Sequence, residues 1–196
     1  WGQTDMMRYL AFAIAMIALP ITAQAEEFCP KGNMLAKKKP HAKVRVTHQG
    51  RLTDNVMPGE GEVWNGKHSA LLKGSSASVT YKFSKPTRVR ALLFQGDNND
   101  TYQVSTSLDG KEFPPIWSIP AHPRSGMRMR LAQNLDAPAR FIRLDKPKGD
   151  GSYSVGEFQA FCKQPKLWPP SVDIKAAGAP KKDKDARKKR MGIYKM

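Results

Sequence analysis

The hexapeptide QGDNND, residues 95 to 100, places two carboxylates among side-chain amides in a chain whose formal net charge is +16. Oxygen atoms gathered on one loop can bind a cation or the hydroxyl groups of a sugar. Gly, Asn and Asp are also the residues that form turns, so the same composition is typical of a loop fixed by its own hydrogen bonds. These residues alone leave both interpretations open.

Two polar loops and a tyrosine are candidates for one recognition patch. Asp97 and Asp100 cannot both be buried without cost, so they are solvated, paired with arginine or bound to a cation. The later segment KGDGSY supplies a second polar loop. We predict a polar recognition patch formed by Asp97, Asn99, Asp100, Tyr102, Arg143 and Asp150. The alternative is a network of Asp–Arg and Asx-turn hydrogen bonds that only fixes the loops.

The sequence carries no pattern typical of an enzyme. It has no H-E-x-x-H, no G-x-S-x-G and no phosphate-binding glycine loop. The histidines show no metal-ligand spacing; they are His41, His48, His68 and His122. If both cysteines are oxidised, a thiol nucleophile is missing as well. We therefore expect no catalytic residues and no enzymatic activity.

The first 25 residues have the pattern of a signal peptide. Arg8 precedes an apolar run over residues 9 to 21, and Ala23-Gln24-Ala25 then presents the small-x-small pattern that signal peptidase cleaves. The run falls short of the roughly 20 apolar residues that span a membrane. We predict export to the periplasm or the extracellular space. Residues 1 to 5 precede the expected start at Met6 or Met7 and indicate an over-extended reading frame.

Cys29 and Cys162 are the two cysteines of the sequence, and both follow the predicted cleavage site. Thiols pair in the oxidising compartments that exported proteins reach. A bridge between them would close almost the whole domain into one loop and contribute on the order of 4 to 5 kcal/mol in the chain-entropy model. Two free, buried thiols are the alternative. We predict a disulfide and a folded domain over residues 26 to 162.

The composition changes after Cys162. Residues 163 to 196 contain eleven Lys or Arg against three Asp and begin with a Pro-rich stretch. They lack an apolar period of 2 or 3.6, so we predict a disordered, basic tail. Residues 51 to 162 contain fifteen positive and eleven negative side chains. This modest excess argues against specific nucleic-acid binding by the folded domain.

Between the cysteines, apolar and polar residues alternate in short runs separated by turn residues, which predicts antiparallel strands. About eight such strands without intervening helices indicate an all-β sandwich. The residues expected to face inward include Val79, Tyr81, Phe83, Val89, Ala91, Leu93, Met127, Met129 and Leu131. The arginines at alternate positions are expected to face solvent; they are Arg88, Arg90, Arg128 and Arg130.

Several phrases in a fixed order resemble the discoidin, or coagulation factor V/VIII type C, family. They are LTDN, YQVSTSLDGKEF, ARFIRL and YSVGEFQAF, and the likeness spans residues 43 to 162. The resemblance implies a galactose-binding-like, antiparallel jelly-roll β-sandwich whose first and last strands are tied by a disulfide, which Cys29 and Cys162 match. It also implies non-catalytic binding of glycans, anionic lipid head groups or protein surfaces through loops at one end.

The resemblance also implies a structural calcium ion. Its ligands would be Asp54 and Glu157, with backbone carbonyls around Thr53 and Asn55. Calcium takes six to eight oxygen ligands at about 2.3 to 2.6 Å, and two carboxylates with carbonyls can supply them. The alternative is that Asp54 forms a turn with its own backbone and Glu157 pairs with an arginine.

Sugar-binding members of that family place an aromatic ring against a sugar face, and polar side chains bind the hydroxyls. Candidates in loop-like stretches are Trp64, His68, Trp117, His122 and Arg124. Trp64 could equally close the end of the sandwich. The loops VMPGEGE and AHPRSG offer little apolar surface beyond Met57, so we expect no membrane insertion.

These observations predict an exported, non-catalytic module that recognises a glycan or a cell-envelope surface through its loops. The alternative function is adsorption to anionic polymers through the basic tail, with the sandwich as a spacer. Such adsorption would weaken with salt, because it depends on screened attraction and counterion release.

Overall fold

The computed structural model describes residues 28 to 170 and 173 to 175. The predicted signal peptide therefore lies outside the described residues. One short 3-10 helix, Gln49–Leu52, stands among strands. The strands are β1 (Ala42–Val44), β2 (Val46–Thr47), β3 (Val56–Pro58), β4 (Ala70–Lys73), β5 (Ser78–Val89), β6 (Ala91–Gly96), β7 (Thr101–Ser107), β8 (Pro115–Ile119), β9 (Arg128–Ala132), β10 (Ala137–Lys148), β11 (Ser152–Phe161) and β12 (Asp173–Lys175).

Ten of these strands form two five-stranded antiparallel sheets. Sheet I has the order β1-β5-β10-β7-β8, and sheet II has the order β2-β4-β11-β6-β9. Consecutive strands β5, β6 and β7 alternate between the sheets, which is the crossing expected of a jelly roll. The predicted all-β antiparallel sandwich is confirmed, with ten strands in its two sheets rather than about eight.

The core lies between the sheets and is built from one face of each strand. Val79, Tyr81 and Phe83 of β5 face it as predicted. In β6, however, Leu92 and Phe94 belong to the core cluster, whereas the predicted residues Ala91 and Leu93 are buried outside it. The chain passes from sheet I to sheet II at Arg90. Odd-numbered residues face the core before this point, and even-numbered residues face it afterwards.

A β-bulge in β11 decides which face its acidic residue takes. The pairing with β6 shifts register between Val155 and Glu157. A Cβ on Gly156 would lie 2.5 Å from Cδ of Pro58, so only glycine allows β3 to approach this closely. Val155 and Phe158 face the core, and Glu157 is turned to the covered outer face of sheet II.

The predicted disulfide is present between Cys29 and Cys162, which are 133 residues apart in sequence. It ties the start of the domain to the residue after β11. Asp173–Lys175 then pair in parallel with Val56–Pro58. The prediction of a disordered tail from residue 163 thus does not hold for β12, and residues 171, 172 and 176 to 196 lie outside the described residues. Within the described ranges, no helix has the length and apolar character needed to cross a membrane.

Candidate functional site

Four loops meet at one end of the sandwich, and we call this surface the loop end. They comprise residues 59 to 69, 97 to 100, 120 to 127 and 149 to 151. The first and third loops pair through their backbones, since Gly61 N donates to Met127 O and Met127 N donates to Glu62 O, each at 2.9 Å. A Cβ on Gly126 would lie 2.5 Å from Gly61 O, so the two loops are in direct contact.

Asn98 of the acidic loop joins the third loop through three hydrogen bonds. His122 N donates to Asn98 O at 2.6 Å. Gly126 N donates to Asn98 Oδ1 at 2.9 Å, and Asn98 Nδ2 donates to His122 O at 3.4 Å. The amide group of Asn98 is therefore occupied by hydrogen bonds between the two loops, and these bonds fix the conformation of the loop end.

Arg130 lies beneath the acidic loop and corrects the expectation that it faces solvent. The residue is only 7% exposed. Its guanidinium donates to the carbonyl oxygens of Gly96 at 2.8 Å, Asp97 at 2.7 Å and Pro120 at 3.2 Å. Burial lowers the pKa of Arg130, and nearby negative groups oppose that shift. Backbone carbonyls thus solvate a buried cation, which holds two of the four loops.

The interpretation of β9 is wrong for Met129, Arg130 and Leu131. Arg130 and Ala132 are buried, whereas Met129 and Leu131, predicted to face inward, are only half-buried. The expectation that the arginines face solvent holds in part for Arg88 and Arg90, whose side chains are 37% and 43% exposed and form ion pairs with Asp136 at 2.7 and 3.4 Å. Arg128 is half-buried and lies 3.4 Å from Glu60.

Ser154, near the start of β11, joins the first loop to the second. Its hydroxyl donates to the carbonyl oxygen of Trp64. Its own carbonyl accepts from Asp97 N at 3.0 Å and from Tyr102 Oη at 3.1 Å. The loop is held here through the Trp64 carbonyl, and 37% of the residue is exposed.

Three aspartates of the predicted patch lie close enough to influence one another. Burial raises the pKa of Asp100 to about 6, and the charges of Asp150 and Asp97 add to that effect. Burial, followed by the charge of Asp150, raises the pKa of Asp97, while its own hydrogen bond from Asn98 N opposes the shift. Asp97 and Asp100 are buried, so they face the protein rather than a ligand.

The exposed part of the patch is a side-chain pair between two loops. Asn99 Nδ2 donates to Asp150 Oδ2 at 3.0 Å, and both residues are exposed. Asp150 also accepts from Ser152 N at 2.9 Å through its other oxygen. Tyr102 is buried and donates to Ser154 O, so it supports the loops from below.

Arg143 does not join this patch. Its Nε donates to Thr80 Oγ1 at 3.2 Å, and its guanidinium lies 3.5 Å from the ring centroid of Phe113. Arg143 pairs with Ser105 in the middle of sheet I, away from the strand ends that carry the loops. The cation that binds the acidic loop is Arg130, which the sequence analysis placed on the solvent face. The one sequence feature that favoured burial of Arg130 is the small residue Ala132 on the same face of β9.

The remaining candidates divide between the loop end and other parts of the fold. His122 is half-buried and its Nδ1 accepts from Arg124 N at 3.1 Å, while Arg124 itself is exposed. Trp117 packs against the core from β8 and is not a loop residue. His68 is half-buried, and its interaction with Asp54 opposes the burial that raises the pKa of that carboxyl.

That predicted cation site contains a buried carboxylate that is incompletely paired. Glu157 is fully buried; its Oε1 accepts from Gln159 Nε2 at 3.2 Å, and its Oε2 has no hydrogen-bond partner among the described residues. Burial raises the pKa of Glu157 to about 9, and the charge of Asp54 adds to the shift. An orphaned, desolvated carboxylate oxygen beside a second carboxylate is a donor set that fits a hard cation.

Asp54, the second carboxylate of the predicted cation site, lies in a turn. Asp54 Oδ1 accepts from Val56 N at 2.9 Å, as in the turn considered as the alternative, and burial raises its pKa. Asn55 adopts a left-handed conformation, with φ of 65°, and its Oδ1 accepts from Asn33 Nδ2 at 3.0 Å. Within the described residues, no group of three or more His, Cys, Asp or Glu is arranged to hold a metal ion.

Comparison with known proteins identifies the fold. No protein-family model and no curated protein sequence matches the chain. A fucose-binding module from Streptococcus pneumoniae has a TM-score of 0.50 and 11% identity, covering 67% of this chain and 95% of that chain. The lectin domain of lectinolysin complexed with Lewis B antigen also has a TM-score of 0.50 and 11% identity, covering 68% and 99%. At these identities the likeness establishes a shared galactose-binding-like fold.

Proposed function

We propose that the domain between Cys29 and Cys162 is a non-catalytic module that recognises a glycan through the loop end. The observation that carries the proposal is the cross-linking of the first three loops by Asn98, Arg130 and Ser154, with the fourth loop joined to them by the Asn99–Asp150 pair. Trp64 and that pair remain exposed on this scaffold. A surface already ordered before binding loses little conformational freedom when a ligand arrives.

The exposed residues have complementary chemistry for a sugar. The Trp64 ring offers an apolar platform for a sugar face, and the Asn99 amide and Asp150 carboxylate can bind hydroxyls through charge-assisted hydrogen bonds. Arg124 adds an exposed cation from the third loop. Asp97, Asp100 and Tyr102 position these groups from below, because they are buried.

The similar structures are consistent with glycan binding, but the proposal rests on the geometry of the loop end. One structure of the same fold is described as a fucose-binding module, and another was determined with Lewis B antigen. Both descriptions concern those proteins, and their sequences differ from this chain at most positions. They make a glycan the first class of ligand to test.

Calcium belongs to the proposal as a structural ion. Glu157 and Asp54 would hold it, and the ion would supply the positive charge that the buried carboxylates lack. The two residues lie where β11 meets the chain before β3, so binding there would stabilise the base of the first loop. No step of glycan recognition is assigned to the ion.

We further propose that the protein is exported and works in the periplasm or outside the cell, on a glycan or an envelope surface. The Cys29–Cys162 disulfide supports export, since such bridges persist in oxidising compartments. Adsorption through the basic tail stays a prediction from sequence, because residues 176 to 196 lie outside the described residues.

A glycan array probed with the full chain tests the loop-end proposal. We expect binding to a defined set of glycans, and we expect Trp64→Ala to weaken it by about 30-fold, since buried tryptophan contacts contribute about 2 kcal/mol or more at interfaces. Leu108→Ala is the control, because Leu108 is exposed in the turn after β7. Equal binding by wild type and Trp64→Ala would contradict the assignment.

A further inference from the structure

A second concave surface lies outside the loop end. It is a groove of about 720 Å³, lined by residues 37 to 43, 49, 50, 53 and 54. Four lysines line it, Lys37, Lys38, Lys39 and Lys43, together with His41. We call it the basic groove. None of its lining residues belongs to the four loops proposed to bind a glycan.

The positive charge of the groove is not balanced locally. Residues 28 to 50 contain six Lys or Arg and no Asp or Glu. Among the described residues that line the groove, Asp54 supplies the sole carboxylate, and one of its oxygens accepts from Val56 N. Lys43 Nζ donates to the neutral amide of Gln49 at 2.8 Å. Within the described part of the chain, no ion pair joins Lys37, Lys38 or Lys39 to a carboxylate.

The backbone carrying these lysines is held at several points. Lys38 N donates to Leu35 O at 2.9 Å, and Thr53 Oγ1 donates to Lys38 O at 3.1 Å. His41 N donates to Thr80 O at 2.8 Å, and the His41 ring packs against Phe141 with centroids 5.5 Å apart. Lys37 adopts φ of 53°, a conformation unusual for a residue with a side chain. The backbone positions from which these lysines project are therefore fixed.

Protection of a sheet edge explains part of this charge but not all of it. β1 is an edge strand of sheet I, and lysines on edge strands discourage pairing with other chains. Lys43 lies within β1 and suits that role. Lys37, Lys38 and Lys39 precede the strand, and the backbone there is bound to Thr53 rather than open for pairing. Their grouping calls for a different explanation.

The lining chemistry distinguishes between classes of polyanion. Proteins that bind single-stranded nucleic acid stack the bases on aromatic rings, and the described residues lining the groove include no Phe, Tyr or Trp. They also include no arginine, so anions would be bound through the point charges of lysine rather than through bidentate contacts. Lysines act as point charges and suit carboxylate or sulfate groups spaced along a polymer. We propose that the basic groove binds a polysaccharide carrying carboxylate or sulfate groups.

Binding of three polymers to the full chain tests this proposal. Polygalacturonate carries carboxylates, heparin carries sulfates, and a 20-nucleotide poly(dT) carries phosphates with stackable bases. The test variant is Lys37→Gln/Lys39→Gln, since both lysines are exposed in the groove. The control is Lys163→Gln/Lys166→Gln, which removes the same charge from exposed positions after β11. Both variants retain the tail, and melting temperatures show whether both remain folded.

We expect polygalacturonate or heparin to bind the wild type at 50 mM salt. The groove variant should bind about 10- to 30-fold more weakly, with a shallower dependence of log K on log salt concentration. The control should change less than two-fold, and Lys37→Arg/Lys39→Arg should retain binding. Whichever polysaccharide binds identifies the carboxylate or the sulfate as the recognised group.

Four results would overturn the proposal. They are no binding of either polysaccharide by the wild type, an equal loss in the groove variant and the control, undiminished binding by the groove variant, and groove-dependent binding of poly(dT) that exceeds that of both polysaccharides. Undiminished binding would instead assign adsorption to another part of the chain, such as the tail. The groove variant leaves every residue of the loop end unchanged, so failure here does not contradict the glycan proposal.

Discussion

Nη2 of Arg130 lies 2.7 Å from the carbonyl oxygen of Asp97, so a buried cation on β9 holds the backbone of the acidic loop from below. The same guanidinium binds the carbonyl of Pro120 in the third loop at 3.2 Å. A single side chain therefore sets the spacing between two loops of the proposed binding surface. Its removal would leave several buried carbonyls without donors.

The substitution Arg130→Met tests whether the buried guanidinium stabilises the loops more than an exposed arginine would. Methionine has a similar volume but donates no hydrogen bond, so we expect a loss of about 3 to 5 kcal/mol in the free energy of unfolding. Arg88→Met is the control, because Arg88 is half-exposed and ion-paired, and should lose less than about 1 kcal/mol. Urea denaturation of both variants measures the difference. Equal losses would show that Arg130 does not hold the loops.

Alternating sequence patterns could predict the sandwich but not the place of Arg130. A period of 2 separates two sets of residues, and hydrophobicity then chooses the inward set. In β9 that choice favoured Met129 and Leu131, because the carbonyls that solvate Arg130 come from residues up to 34 positions away in sequence. Burial of a cation by distant backbone groups leaves no periodic signal in its own strand.

The predicted recognition patch was correct in part, and its errors also come from contacts between residues distant in sequence. Asn99 and Asp150 were correctly placed together, since both lie on loops that leave strand ends. Arg143 was placed wrongly, because its position along β10 relative to Ser105 depends on strand register, which the sequence leaves open. The disulfide was predictable because the chain contains two cysteines and an export pattern.

Asp100 should make stability depend on pH in the acidic range. Its folded-state pKa of about 6 exceeds the ordinary value of 3.8, so the folded state retains the proton that the unfolded state releases. The free energy of unfolding should therefore fall by about 1 to 2 kcal/mol as pH rises from 4 to 6. Thermal melts of Asp100→Asn should show a smaller fall over this range, because the share of Asp100 is removed and that of Glu157 remains. An unchanged profile in Asp100→Asn would contradict the burial effect.

Glu157 should produce a second pH dependence that extends to higher pH. Its pKa of about 9 lies above the ordinary value of 4.5, so with EDTA present stability should fall as pH rises between these values, by up to about 1.4 kcal/mol per unit. Glu157→Gln should remove the fall above pH 6. Asp100→Asn should leave the fall above pH 6 unchanged, so that part of the profile distinguishes the two substitutions.

Calcium should oppose this destabilisation by binding the ionised form of Glu157. At pH 8, calcium at 100 times its dissociation constant should raise the free energy of unfolding of the wild type by about 2.7 kcal/mol. Glu157→Gln should show little response, and magnesium serves as the control cation. A wild type whose melting temperature is unmoved by millimolar calcium would contradict the structural-ion proposal.

Reduction of Cys29–Cys162 should weaken the whole domain, because the bridge joins residues 133 positions apart. We expect Cys29→Ser/Cys162→Ser to lose about 2 to 5 kcal/mol in the free energy of unfolding. Urea denaturation with and without dithiothreitol measures the effect in the wild type, and the double variant should not respond to the reductant. A wild type whose stability is unaffected by reduction would contradict this prediction.

The location of the glycan site is tested most directly by NMR titration of the 15N-labelled full chain with the strongest ligand from the glycan array. We predict that amide shifts will concentrate in residues 59 to 69, 97 to 100, 120 to 127 and 149 to 151, with the Trp64 indole N–H among the largest. Shifts confined to other surfaces, or no shifts with any glycan, would contradict the assignment of the loop end as the binding surface.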